Sequence, residues 1–224
     1  MRSISFAKGE YYHIYNRGVD KRSIFVRMQD VERFLRCMVA FNTVEPIGSL
    51  YQQSFEHKRL NTKNTKNSKK ESPLVNVICY CLNPNHFHMI LEEAENKGIE
   101  KYMHRLGTGF TRYFNETYKR TGSLFQGPYK VVHVSSNEYL LHVSAYVNLN
   151  HRVHQLSGLA TKLVRTSWQE YIGKRSGVAN VCKKEIVLDQ FKNIAEYKDF
   201  AESSLGDILK RKVLFNEMES LLLE

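Results

Sequence analysis

The sequence predicts an α+β fold, an antiparallel sheet with helices, on three observations. Short runs rich in β-branched and aromatic residues alternate with longer segments whose apolar residues recur at helical spacing. A tight polar turn joins two adjacent β runs directly. The resulting order, β-α-β-β-α-β followed by further helices, is the ferredoxin-like split arrangement. At 224 residues and 42% hydrophobic content, the chain is long enough for one well-buried domain plus an extension.

Tyr11-Tyr12-His13-Ile14-Tyr15-Asn16 is a run of β-formers that ends at Arg17-Gly18, a first strand and turn. Asp30 is then expected to cap a helix in which Val31, Phe34, Leu35, Met38, Val39 and Phe41 share a face. Residues 42–73 form a basic insertion, and the polar, lysine-rich stretch 61–70 reads as a mobile loop because it has too few apolar side chains to offset chain entropy. A second strand follows over 74–82, and Asn83-Pro84-Asn85 turns it into a third, His86-Phe87-His88-Met89-Ile90-Leu91.

A helix is expected over 99–118, with Gly107 and Gly109 weakening its middle. A last strand is expected over 123–134, irregular at Gly127-Pro128. Ser135-Ser136-Asn137-Glu138 caps a helix reaching about residue 154, in which His142, Tyr146, Asn150 and His154 recur every four residues as one polar stripe. Residues 1–156 thus form the main domain and 157–224 a C-terminal helical extension, with helices over 186–201 and 205–223 and with Trp168 and Tyr171 packing on the main domain.

On the third strand, side-chain alternation puts His86 and His88 on one face and Phe87, Met89 and Leu91 on the other. The pair suits a metal, although a packed histidine is the commoner fate of any one of them. A rival zinc site could add Cys79 and Cys81: a four-residue loop pairing Cys81 with His86 would turn the cysteines toward the histidines, a three-residue loop away from them. The spacing is unlike that of usual structural zinc sites, and the cysteines read as core residues. The four cysteines show no disulfide-framework spacing.

The formal charge of +10 makes a polyanion the first partner to consider. Aromatic and basic residues interleave in the 99–118 helix, a pattern that serves base stacking and phosphate contact as well as an ordinary solvated helix face. The candidates for DNA contact are His13, Arg17, Arg105, Arg112, Lys130 and His142. No apolar run is long enough to span a bilayer, and residues 1–4 lack the apolar core of a signal peptide. A soluble, intracellular protein is the expectation; that its place is the prokaryotic cytoplasm, associated with the nucleoid, is implied only by the family resemblance below.

Five motifs in fixed order then carry a family resemblance: Tyr12-His13-Ile14 with Asn16-Arg17-Gly18, Pro84-Asn85-His86-Phe87-His88, Thr121 to Gly127, Tyr146-Val147-Asn148-Leu149-Asn150, and Ser167-Trp168-Gln169-Glu170-Tyr171. Over roughly residues 9–200 the chain resembles the HUH single-tyrosine transposases, most closely their REP-associated branch (RAYT). The resemblance implies Tyr146 as the catalytic nucleophile and His86, His88 and Asn150 as ligands of a divalent metal, Mg²⁺ or Mn²⁺. It further implies a single-stranded DNA endonuclease and strand transferase that cleaves hairpin-forming DNA through a covalent 5′-phosphotyrosine. A domesticated, non-cleaving nucleic-acid-binding protein on the same fold is the alternative. Either a monomer or a homodimer is compatible, with the tyrosine helix acting in cis or in trans. The chain departs from the family pattern at Asn150-His151-Arg152-Val153, where Asn-Pro-Val-Arg is expected, and at Pro128, where an arginine commonly follows Gln-Gly.

Overall fold

The computed structural model describes residues 4–45, 72–154, 156, 158–174 and 181–221. Strand β1 (Tyr11–Arg17) leads to helix α1 (Met28–Ala40), then β2 (Val75–Asn83), β3 (His86–Glu93) and helix α2 (Gly98–Tyr118). Strand β4 (Lys130–Val134) and helix α3 (Asn137–Asn148) follow, then the short α4 (Asn150–Val153), α5 (Leu159–Leu163), β5 (Arg165–Thr166), α6 (Trp168–Tyr171) and α7 (Glu185–Leu188), and finally α8 (Ile194–Leu221). The strands form one antiparallel sheet in the order β4-β1-β3-β2-β5. The first four strands are the ferredoxin-like set, and β5 is an edge addition from the C-terminal segment. The lysine-rich stretch 61–70, and with it most of the basic insertion, lies outside the described residues.

Alternation along the strands divides the apolar residues into two cores. Tyr12 and Ile14 of β1 and Phe87, Met89 and Leu91 of β3 pack with Phe34, Leu35 and Met38 of α1 and with Tyr102, Leu106 and Phe110 of α2. The other face gathers Ile78, Cys79, Cys81 and Ile90 with α3 and with Tyr171, Tyr197 and Ala201 from the C-terminal segment. Each large side chain fully buried in this way contributes roughly 1.5–3 kcal/mol.

A bulge in β2 decides what faces the second core. The register with β3 shifts between Val77 and Cys79, so Ile78 and Cys79 turn to the same face. Beyond the bulge Cys81 stands opposite His88 and Asn83 opposite His86, closed by the two-residue loop Pro84-Asn85. Neither the three- nor the four-residue loop occurs, and the cysteines share the histidine face.

Several expected boundaries move. The α1 helix begins at Met28, and Asp30 caps it from within the first turn: its Oδ2 accepts from the amides of Val26 (2.9 Å) and Arg27 (2.8 Å). The α2 helix is continuous, because Gly109 is where the Phe41 ring approaches; a Cβ there would lie 2.7 Å from it. Its N-terminus is held by Glu93, which accepts from the amides of Gly98 and Ile99 at 3.0 and 2.7 Å. The last strand covers only Lys130–Val134, since Gly127 adopts φ +71° and Pro128 offers no N–H. The helix expected over 186–201 is interrupted after Leu188, and its second half runs on into the one expected over 205–223 as α8.

Asp30 also ties α1 to α2. Its fully buried carboxylate accepts from Tyr113 OH at 3.0 Å and Tyr118 OH at 2.7 Å. Asp30→Ala removes four hydrogen bonds at once, and urea unfolding is expected to show a loss of about 2–4 kcal/mol with an unchanged m-value. A loss below about 0.5 kcal/mol would show that the carboxylate does not hold the two helices together.

Candidate metal and nucleophile site

The site is assembled by strand register. In the β1–β3 pair, Tyr15 lies opposite His88 and Arg17 opposite His86. Tyr11, His13, Tyr15 and Arg17 therefore line the same face as the two histidines. The turn that sets this register has no positive φ at Pro84 or Asn85, so it is not one of the primed turns that suit hairpin twist. It is clamped from outside instead. Pro84 O accepts from the amides of Ile24 (2.8 Å) and Phe25 (2.9 Å), and Asn85 O accepts from the amide of Gly18 (2.8 Å).

The α3 helix crosses this face and brings Tyr146 against it. The Tyr146 ring centroid is 5.5 Å from that of His88 and 6.0 Å from that of His13, edge-on to both. The helix ends at Asn148; Leu149, at φ −108° and ψ 12°, breaks it before the separate turn Asn150–Val153. The four residues of the stripe do not share one surface. Tyr146 and His154 line a cleft of about 800 Å³ together with Tyr15, Arg17, His86 and His88, and the buried Asn150 reaches it through His86. His142 goes elsewhere, its Nδ1 3.3 Å from Ser204 Oγ and its ring against Phe200.

Within the site, His86 Nε2 lies 3.1 Å from Asn150 Oδ1. His86 Nδ1 is 2.7 Å from Asn85 Oδ1, which can only accept, so Nδ1 carries the proton and Nε2 the lone pair. His88 Nδ1 is 2.9 Å from His13 Nε2, and the Tyr15 ring stacks on His88 at 5.3 Å. Burial holds His88 well below the usual histidine range, helped by His13, His86 and His154 nearby; burial first, then Arg17, lowers His86. Neutral imidazoles are the form that binds metal. Burial pushes the Tyr146 phenol up, opposed in part by the neighbouring Asn150 amide.

Of the other candidates for DNA contact, Arg17 and Lys130 line the cleft, with Arg17 Nε donating to Gln126 Oε1. His13 sits behind the histidine pair at 7% exposure rather than on a binding surface. Arg105 donates to Thr43 O at 2.6 Å, at the α1 end, and Arg112 pairs with Glu116 at 2.9 Å beside a separate cavity. Tyr15, Asn83 and Gln126 escaped the sequence reading. Tyr15 was within reach of it, being two residues from His13 on the same strand face. Cys79 and Cys81 are buried, and burial pushes the Cys81 thiol up to about 12 and Cys79 further. Among the described residues no three His, Cys, Asp or Glu side chains cluster as metal ligands, which leaves the zinc alternative without a ligand set.

The structure thus sets an HxH strand against a tyrosine-bearing helix on a ferredoxin-like sheet. Residues 50–150 match the family model described as "Transposase IS200 like". A solved structure described as "Structure of the REP associates tyrosine transposase bound to a REP hairpin" shares the fold at a TM-score of 0.51, with 11% sequence identity over 82% of this chain and 95% of that one. The resemblance read from the motifs, to the REP-associated branch, is supported by both. No curated protein matches the chain. Among the described residues no helix is long and apolar enough to cross a membrane.

Burial lowers the His13 pKa to about 4, while the unfolded imidazole titrates near 6.5. Between these values the unfolded chain binds the extra proton, so this stability is complete above about pH 6.5 and is lost as pH falls toward 4, on the order of 3 kcal/mol. The thermal midpoint is expected to fall between about pH 7 and pH 5, and to fall less in His13→Gln. Equal falls in both proteins would show that His13 does not carry the effect.

Proposed function

We propose that this protein is a metal-dependent single-stranded DNA endonuclease and strand transferase that cleaves hairpin-forming DNA through a covalent 5′-phosphotyrosine at Tyr146. The observation that carries the reading is the convergence of Tyr146, His86, His88 and Asn150 on one cleft whose rim holds Arg17 and Lys130.

The residues fit a divalent cation. His86 Nε2 and Asn150 Oδ1 are two lone-pair atoms held 3.1 Å apart, and His88 supplies a second neutral imidazole when its Nδ1–H donates to His13. The donor set, imidazole nitrogen with amide oxygen and no thiolate, suits Mg²⁺ or Mn²⁺ with open positions rather than a closed zinc site. When bound, such an ion polarises the scissile phosphate and offsets its charge.

The chain's own groups do the rest. The Tyr146 oxygen, once its proton leaves, forms a bond to phosphorus, and the 3′-oxygen departs with the electron pair and takes up a proton. The bond energy is retained in the phosphotyrosine, so a 3′-hydroxyl can reverse the step and join strands. Asn150, a buried amide beside the Tyr146 phenol that already acts to lower its pKa, offers Nδ2 as a donor suited to the developing phenolate or a phosphate oxygen. Arg17 and Lys130 hold the phosphate backbone at the cleft mouth. The hairpin-bound neighbour supports a folded DNA substrate.

Labelled hairpin DNA incubated with the protein and Mn²⁺ is expected to yield an SDS-resistant adduct that Tyr146→Phe abolishes. Salt-sensitive binding with no adduct on any of several hairpins would instead mark a non-cleaving DNA-binding protein. Since the raised pKa keeps Tyr146 a neutral phenol near pH 7, adduct formation should rise with pH between about 7 and 9, and a flat profile would mean that phenol deprotonation does not limit it. Removing one rim charge with Arg17→Ala or Lys130→Ala should weaken DNA binding and lower the slope of log K against log salt by about one.

A further inference from the structure

We infer that Asn83 is a further residue of the metal site, one that holds the metal-free site together and rotates its amide to become a ligand when a cation enters. The inference rests on the divalent-cation reading above.

Asn83 ends β2, opposite His86, and its side chain is fully buried. Its Nδ2 lies 2.8 Å from His86 Nε2 and 2.7 Å from Asn150 Oδ1, which are themselves 3.1 Å apart. Asn85 fixes the His86 proton on Nδ1, so both atoms facing Asn83 are acceptors. Two lone pairs pressed this close repel unless something positive stands between them. The two N–H protons of the Asn83 amide fill that place, one hydrogen bond to each acceptor.

A cation bound by the same two lone pairs would be repelled by those N–H protons. The amide offers a way out that needs no backbone movement. Its oxygen and nitrogen are nearly equal in size, and a half-turn about the last side-chain bond exchanges them. Asn83 Oδ1 is now 3.5 Å from the Cys81 thiol, a weak contact that costs little to exchange. After the turn, three lone-pair atoms form a triangle with the edges already present, 2.7, 2.8 and 3.1 Å. Ligands about 2.1 Å from an octahedral ion stand about 3.0 Å apart along each edge, so this triangle matches one octahedral face. A thiol or carboxylate cluster is absent from the site among the described residues, and an amide pair with one imidazole makes the face instead.

The test is calorimetric titration of Mn²⁺ into the DNA-free full-length protein, with melting of each variant in EDTA alongside. Asn83→Leu, of similar size, is expected to weaken Mn²⁺ binding about tenfold or more. Asn83→Asp keeps an oxygen and adds charge, and is expected to tighten binding several-fold while lowering the melting temperature without metal, where its carboxylate faces Asn150 Oδ1. If Asn83→Leu does not fold, the Asp variant decides alone. Unchanged Mn²⁺ affinity in the Leu variant, or weaker binding in the Asp variant, would overturn the role of Asn83 and leave the proposed chemistry standing. Absence of saturable Mn²⁺ binding by the wild-type protein would overturn both the role of Asn83 and the metal dependence.

Discussion

The backbone clamp on the Pro84-Asn85 turn is the constraint from which the site follows. A strand has a side-chain period of two, so a slip of one residue between β2 and β3 would send His86 and His88 into the first core and Phe87 and Met89 into the cleft. Two apolar faces would then be exposed and two imidazoles buried unpaired. The unprimed turn does little to prevent this by itself. Three hydrogen bonds from residues 18–25 onto the carbonyls of Pro84 and Asn85 hold it, and the same segment closes against Leu124 and Gln126 through backbone bonds from Val19 and to Arg17. The Asn16-Arg17-Gly18 motif and the Thr121 to Gly127 motif thereby act on the histidines from a distance.

A strongly basic protein holds a neutral candidate site. His13, His86 and His88 are all held below the usual histidine pKa, chiefly by burial, and Tyr146 is held as a phenol. The fixed positive charge stands at the mouth, on Arg17 and Lys130. This division suits the proposed phosphodiester reaction. Exposed arginine and lysine attract the polyanion and are weakened by salt, whereas neutral nitrogens and amide oxygens inside leave lone pairs free for a cation and do not compete with it electrostatically.

Most of the sheet was legible because its strands alternate cleanly; β1 and β3 fall within a residue or two of the expected bounds. The bulge at Val77/Cys79 was not, since Val-Ile-Cys reads equally well with either side inward, while the face of the cysteines follows from the two-residue Pro84-Asn85 loop. The stripe of His142, Tyr146, Asn150 and His154 looked uniform because a four-residue period presumes an unbroken helix. Nothing in Asn148-Leu149-Asn150 announces the helix end, and the side-chain partners of Asn148 lie far away in sequence. By sequence Asn83 is a turn residue, the commonest use of asparagine beside proline, and only its distances to His86 and Asn150 give it a second role.

Those distant partners lie in the C-terminal segment, which supplies much more than an appended set of helices. Asn148, the last residue of α3, is fully buried, and both ends of its amide are engaged. Its Oδ1 accepts from Ser167 Oγ at 2.6 Å, and its Nδ2 donates to Tyr197 OH at 2.9 Å. Ser167 Oγ in turn accepts from the Tyr80 amide at 2.9 Å, so the end of the tyrosine helix is tied to β2 through the residue that follows β5. A buried amide satisfied at both ends tolerates little rotation, because turning the helix would strand two polar groups away from water. Successive residues on a helix point about 100° apart, so fixing Asn148 inward fixes where Tyr146 points two residues earlier. The Ser167-Trp168 motif thus joins the histidine turn as the second fixed point of the site, and Tyr146 is held between them.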